Sequence, residues 1–152
     1  MSATHFSGPV LTGDLQQGET YGPNQGFVQL AQFAALTQNG TNAVSATLYI
    51  PAGAQILGFN IDVLTVWNSG TSATLSIGTA AAGTQYVGSV DVKTAAGRIA
   101  PTFTAAQLAA MSGVTTTGTV AATTPPVVIT VTPVGTAATT GYVEVTVLYV
   151  QQ

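Results

Sequence analysis

From Phe27 onward, apolar and polar residues alternate in short runs separated by Gly, Asn and Pro, the pattern of strands with one face toward a core. The longest run is Gln55–Trp67. In it Leu57, Phe59, Ile61, Val63 and Trp67 share one face and are the expected core, while Gly58, Asn60 and Asp62 share the other. The preceding run sets Val44, Ala46, Leu48 and Ile50 against Ser45, Thr47 and Tyr49, and Pro51-Ala52-Gly53-Ala54 turns the chain between the two. Asn39-Gly40 predicts another turn. Further strands are expected at Ala73–Ile77, Tyr86–Val92, Val127–Thr132 and Tyr142–Val150, the last with Val143, Val145, Val147 and Tyr149 turned away from Glu144 and Thr146. One segment departs from period two. Thr104 and Gln107 have capping-box spacing around a short helix, Ala105–Met111, which Gly113 is placed to end. Gly113–Pro126 has no apolar period and is expected as a long surface loop.

Residues 1–26 contain Pro9, Pro23 and several glycines, with few large apolar residues, and predict an extended N-terminal arm. The expected organisation is therefore arm 1–26 followed by one all-β domain, 27–152, an antiparallel sandwich. A length of 152 residues suits a single core.

Composition narrows the function. Only Asp14, Glu19, Asp62, Asp91, Lys93, Arg98 and Glu144 are charged, 5% of the chain, where an average soluble protein has about 25%. Two basic residues and a net charge of -3 make nucleic acid and acidic membranes poor partners. Mean hydropathy is +0.43, but no apolar run approaches the roughly 20 residues of a membrane-spanning helix. The N-terminal residues lack a basic segment followed by an apolar one, so synthesis in the cytoplasm is expected. Cysteine is absent, which excludes disulfides, thiolate metal sites and cysteine nucleophiles.

No catalytic constellation emerges. The single histidine, His5, lies in the arm beside Phe6, without a nucleophile motif around it, and is read as a contact residue. Asp62 and Asp91 fall on strands that could be neighbours, and with Glu144 they are the acids a carbohydrate-active sandwich would use; in so uncharged a chain they read more simply as solvent-face residues. Asp91-x-Lys93 reads as a surface pair. Dispersed acids and one histidine make no metal-binding spacing, and no phosphate-loop pattern accompanies the glycines, so neither a metal nor another cofactor is expected. Asn39-Gly40-Thr41 has the letters of a glycosylation sequon but reads as a hairpin.

Long Thr/Val strands with uncharged edges are prone to associate unless paired or covered, so an oligomer is expected. Residues 2–10 (Ser-Ala-Thr-His-Phe-Ser-Gly-Pro-Val), the run Leu48–Val63, Leu75-Ser-Ile-Gly-Thr and Gly83-Thr-Gln-Tyr-Val-Gly resemble small structural proteins of tailed bacteriophages. The resemblance is to capsid decoration, or cement, proteins. It implies a jelly-roll-like sandwich, a homotrimer, attachment to the major capsid protein on the capsid exterior, and no catalytic residue. His5, Phe6 and Val10 become the expected partner-binding residues of the arm. The alternative it leaves is a fibre or tail-attached module that recognises a host surface.

Overall fold

The computed structural model describes residues 28–113 and 125–151. Eight strands, β1 (Gln29–Thr37), β2 (Val44–Leu48), β3 (Gln55–Thr65), β4 (Ser72–Gly78), β5 (Val87–Asp91), β6 (Gly97–Ile99), β7 (Val127–Val134) and β8 (Tyr142–Val150), and one helix, α1 (Ala105–Met111), build them. The strands form two antiparallel sheets, ordered β1-β8-β3-β6 and β2-β7-β4-β5. Two four-stranded sheets with these crossovers are a jelly roll. The all-β antiparallel sandwich expected from the alternation, with the jelly-roll-like arrangement that the resemblance implies, is thus the observed fold.

The reason these segments are strands is plainest in β8. Val143, Val145 and Val147 are fully buried between the sheets, whereas Tyr142, Glu144, Thr146 and Leu148 are half-exposed on the outer face. Branched residues pack well on such a pleated, half-buried surface. Ile61 and Val63 of β3, Leu75 and Ile77 of β4, and Ile129 and Val131 of β7 complete the layer, all at or near zero exposure.

Phe59, Ile61, Val63 and Trp67 are buried, but Leu57 is 45% exposed and is no core residue. The cause is a bulge. Ile56 pairs with Tyr149 and Gly58 with Leu148, which leaves Leu57 unpaired and turned outward. The strand also ends earlier than expected, at Thr65, after a second irregularity between Val63 and Thr65. Trp67 lies beyond it, held by its amide on Val92 O at 3.1 Å. Its indole rests on Gly141, where a Cβ would lie 2.4 Å from the ring.

The helix follows its sequence signals closely. Thr104 Oγ1 accepts from the Gln107 amide at 3.3 Å, and Gln107 Oε1 accepts from the Thr104 amide at 2.9 Å. Met111 is buried, and Gly113, at φ 69°, lies so close to Ala54 O that a Cβ would approach it to 2.4 Å. The preceding Phe103 joins Phe59 and Tyr86, with ring centroids 6.5 and 6.1 Å from Phe59. The helix therefore closes the end of the sandwich that holds the β2–β3 turn. Strands β1 and β6, which the sequence pattern does not mark, complete the first sheet. Most of the expected loop Gly113–Pro126 lies outside the described residues.

Two measurements check this packing. Phe59→Ala is expected to cost about 3–5 kcal/mol in chemical denaturation, while Leu57→Ala, on the solvent side of the bulge, should cost less than about 1 kcal/mol. Gly141→Ala should lower the melting temperature by several degrees or more, because its methyl group must displace a fully buried indole.

Candidate assembly surface

The two outer faces of the sandwich are not equivalent. On the β2-β7-β4-β5 sheet the β4–β5 loop folds back over the strands: Ala82 N donates to Thr130 Oγ1 at 3.0 Å, and Ser45 Oγ lies 2.9 Å from the same hydroxyl. Thr130 is buried in consequence, although it sits on the outward side of β7. The loop passes so near Gly78 that a Cβ there would meet the Gly83 backbone at 2.5 Å. This face is partly covered by its own chain.

The outer face of the β1-β8-β3-β6 sheet carries Phe33 at 68% exposure. Beside it run Ala35 of β1, Glu144 of β8, Asp62 of β3 and Arg98 of β6, brought into one row by the strand registers. Three of the chain's seven charged residues therefore share one row of one face. Asp62 and Glu144 are cross-strand partners, an arrangement that repels unless compensated. Compensation comes from both sides. Arg98 Nε and Nη2 donate to the two Asp62 oxygens at 2.7 and 2.8 Å, and the Tyr142 hydroxyl donates to Glu144 Oε1 at 2.9 Å. The bidentate guanidinium holds the Asp62 carboxyl below its usual range and is itself raised, while the bond to Glu144 pushes the Tyr142 hydroxyl up.

Four strands form the sheet edges among the described residues: β1 and β6 of one sheet, β2 and β5 of the other. Gln32 ties β1 to the chain just past β2 and to its own neighbour β8, its Nε2 donating to Tyr49 O and to the Tyr149 hydroxyl, each at 3.2 Å. At the far end Asn68 Oδ1 accepts from the Thr139 and Thr140 amides at 2.8 and 3.0 Å, and the Lys93 ammonium donates to Ser69 O. These loop ties hold the strand ends that display the face.

His5, Phe6 and Val10 lie outside the described residues, as does Asp14. Asp62 and Asp91 are not neighbours: β3 and β5 belong to different sheets. Sequence reasoning set them together because it had strands without an order. Asp91 does not pair with the Lys93 ammonium. Its Oδ1 accepts from the Lys93 amide at 2.8 Å, and bonds from the Thr94 side chain and that amide hold its carboxyl below the usual range. The Asp62–Arg98 pair went unforeseen because 36 residues separate its members. Tyr142 and Glu144, two apart on a strand, were legible as same-face neighbours and were missed. Among the described residues no group of three His, Asp or Glu side chains could hold a metal, and no helix is long and apolar enough to cross a membrane.

No protein-family model matches the chain, and no curated protein matches it. Among solved structures it is similar to a chain of the cyanophage Pam1 capsid asymmetric unit, at 19% identity and a TM-score of 0.57, with 93% of this chain and 99% of that one covered. At that identity the likeness is one of fold.

Asp62 and Asp91 are both lowered on folding, so they favour the folded state above the ordinary aspartate pKa of about 3.9 and lose that contribution as pH falls through it. Melting temperature is thus expected to stay nearly flat from about pH 5 to 8 and to fall on further acidification, less steeply in Arg98→Ala. Asp91 is exposed, and Asp62 is half-buried against an exposed Arg98, so the slope should be shallow.

Proposed function

We propose that the chain is a non-enzymatic virion structural protein that sits on the exterior of a phage capsid, binds the major capsid protein and strengthens the shell. The observation that carries this reading is the jelly roll matched over nearly its whole length by a chain of a phage capsid asymmetric unit. The composition supports it from another side. A chain with 5% charge has little means of binding polyanions or steering charged substrates, but its Ser/Thr-rich and apolar surface suits close packing against other protein.

The mechanism is mechanical. As a homotrimer, each particle-bound unit would present three copies of the same surface to neighbouring capsid subunits, and linked weak contacts resist separation far better than any one of them. The N-terminal arm, residues 1–26, would add a tether through Phe6 and Val10, with His5 beside them, to a groove or sheet edge on the major capsid protein. The domain from residue 27 to 152 would provide the bulk.

Reconstitution tests the proposal. Purified protein added to capsid shells that lack it is expected to co-sediment in copy numbers of hundreds per particle and to raise the temperature of shell disruption. Failure to bind, or binding in a handful of copies at the tail, would count against a cementing role. Removing residues 2–22 should leave the β-sheet circular dichroism intact while weakening attachment; a truncated chain that no longer folds would place the arm in the core instead. Light scattering should give a trimer that persists in 1 M salt, where screening over about 3 Å leaves apolar contacts untouched.

A further inference from the structure

Strand β1 reads nearly the same in both directions. Around Phe33 the order is Leu30-Ala31-Gln32-Phe33-Ala34-Ala35-Leu36, so Leu, Ala and Phe recur at mirrored positions and only Gln32 and Ala34 differ. Phe33 is also the central residue of the nine-residue strand. We propose that β1 is a self-pairing edge: two copies of the chain join their β1-β8-β3-β6 sheets by antiparallel pairing of β1 with β1, about a two-fold axis at Phe33.

Among the described residues the edge has none of the protection such strands usually carry. β1 contains no charged residue and no proline, and its pairing with β8 runs from Gln29↔Val150 to Thr37↔Tyr142 without a bulge. The other edges are blunted: β6 has three residues, β2 has five, and β5 carries Asp91 and a register irregularity against β4. Among the described residues nothing pairs with the outer side of β1.

Self-pairing about Phe33 would place like beside like. On the outer face Phe33 meets its copy, flanked by Ala31 opposite Ala35, small enough to let the two rings approach. Toward the inner side Leu30, 41% exposed, meets Leu36 of the other copy. Aromatic and aliphatic cross-strand pairs of this kind are the stabilising unit of a sheet. In a strand the backbone groups of alternate residues point to the same edge, so a two-fold at Phe33 is allowed whichever set faces outward. The same surface serves both partners, as a two-fold interface requires. The occupant is a second copy because an order that reads nearly the same in both directions matches itself in antiparallel register.

The chain has no cysteine, so single replacements report the register cleanly. In the full-length protein at high concentration, Phe33→Cys faces its own copy at a Cα separation of about 4.5–5.5 Å, within reach of a disulfide. Position 31 lies opposite 35, which leaves two copies of Ala31→Cys about 13 Å apart. Oxidation, or a short bis-maleimide, is expected to yield at least about tenfold more linked dimer from Phe33→Cys than from Ala31→Cys or Ala35→Cys alone. A mixture of the last two, which keeps Phe33, should link the two variants to each other. Circular dichroism confirms that each variant folds.

Equal linking at all positions, or no dimer from either Phe33→Cys or the mixture, would overturn the proposal. So would linking of Phe33→Cys to Val10→Cys within one chain, which would assign the edge to the chain's own N-terminal residues. The register test is distinguishable from the capsid role: failure to bind shells changes none of its outcomes, and a trimer held by another surface would join through β1 into larger assemblies at high concentration.

Discussion

The inward Val ladder of β8 sets the register of its whole sheet. This strand pairs along all nine residues with β1 on one side and with β3 on the other. A slip by one residue would turn Val143, Val145 and Val147 out and carry Glu144 into an apolar interior, a cost no partner there could offset. β3 has eleven residues against the nine of β8, and the surplus is absorbed at two points. Leu57 and Leu64 are the residues left without a partner, and both are exposed, at 45% and 56%. Between them Gly58–Val63 keeps strict alternation, which is the stretch that holds Phe59 and Ile61 in the core.

That arithmetic explains which parts of the fold were legible. Alternation within β8, β4, β7 and the middle of β3 is a local property, and the sequence displays it directly; so are the Thr104 and Gln107 cap and the turn at Pro51–Ala54, whose amide closes on Pro51 O at 3.1 Å. Leu57 was misassigned because a bulge is decided by the strand opposite, not by the strand that bears it. β1 escaped notice because its alanines blur the alternation of Leu30, Phe33 and Leu36, and its strand character comes from pairing with β8. β6 is too short to carry a period. On the outer face, Asp62 and Glu144 were visible as solvent-side acids, but the row they form with Arg98 exists only once β8 has set β3 between itself and β6.

Scarcity of charge gives that row its weight. In an ordinary protein an exposed Asp–Arg pair contributes little and marks nothing. Here, among the described residues, the outer face of the other sheet carries Asp91 and otherwise uncharged side chains, so a row of three charges makes the two faces of the sandwich chemically different. The opposite face has a second distinction, since its β4–β5 loop lies across Thr130 and Gly78 and occupies space a partner would need. Orientation in an assembly can therefore be encoded without a strong long-range field.

The same scarcity limits how such a protein can reach and hold its place. Without steering, encounter rates stay near the neutral range of about 10⁵–10⁶ per molar per second, and retention must come from slow release. A face with two aromatics and one ion pair does not supply that alone. Repetition does: copies held at fixed spacing raise the effective concentration of each contact for the next, so weak edges that are harmless in dilute solution become cohesive once the copies are arrayed. An uncharged, bulge-free edge such as β1 adds little in a dilute monomer and becomes an asset in an ordered array. Among the described residues, that asymmetry sets β1 apart from the other three edges, each of which is short, charged or irregular.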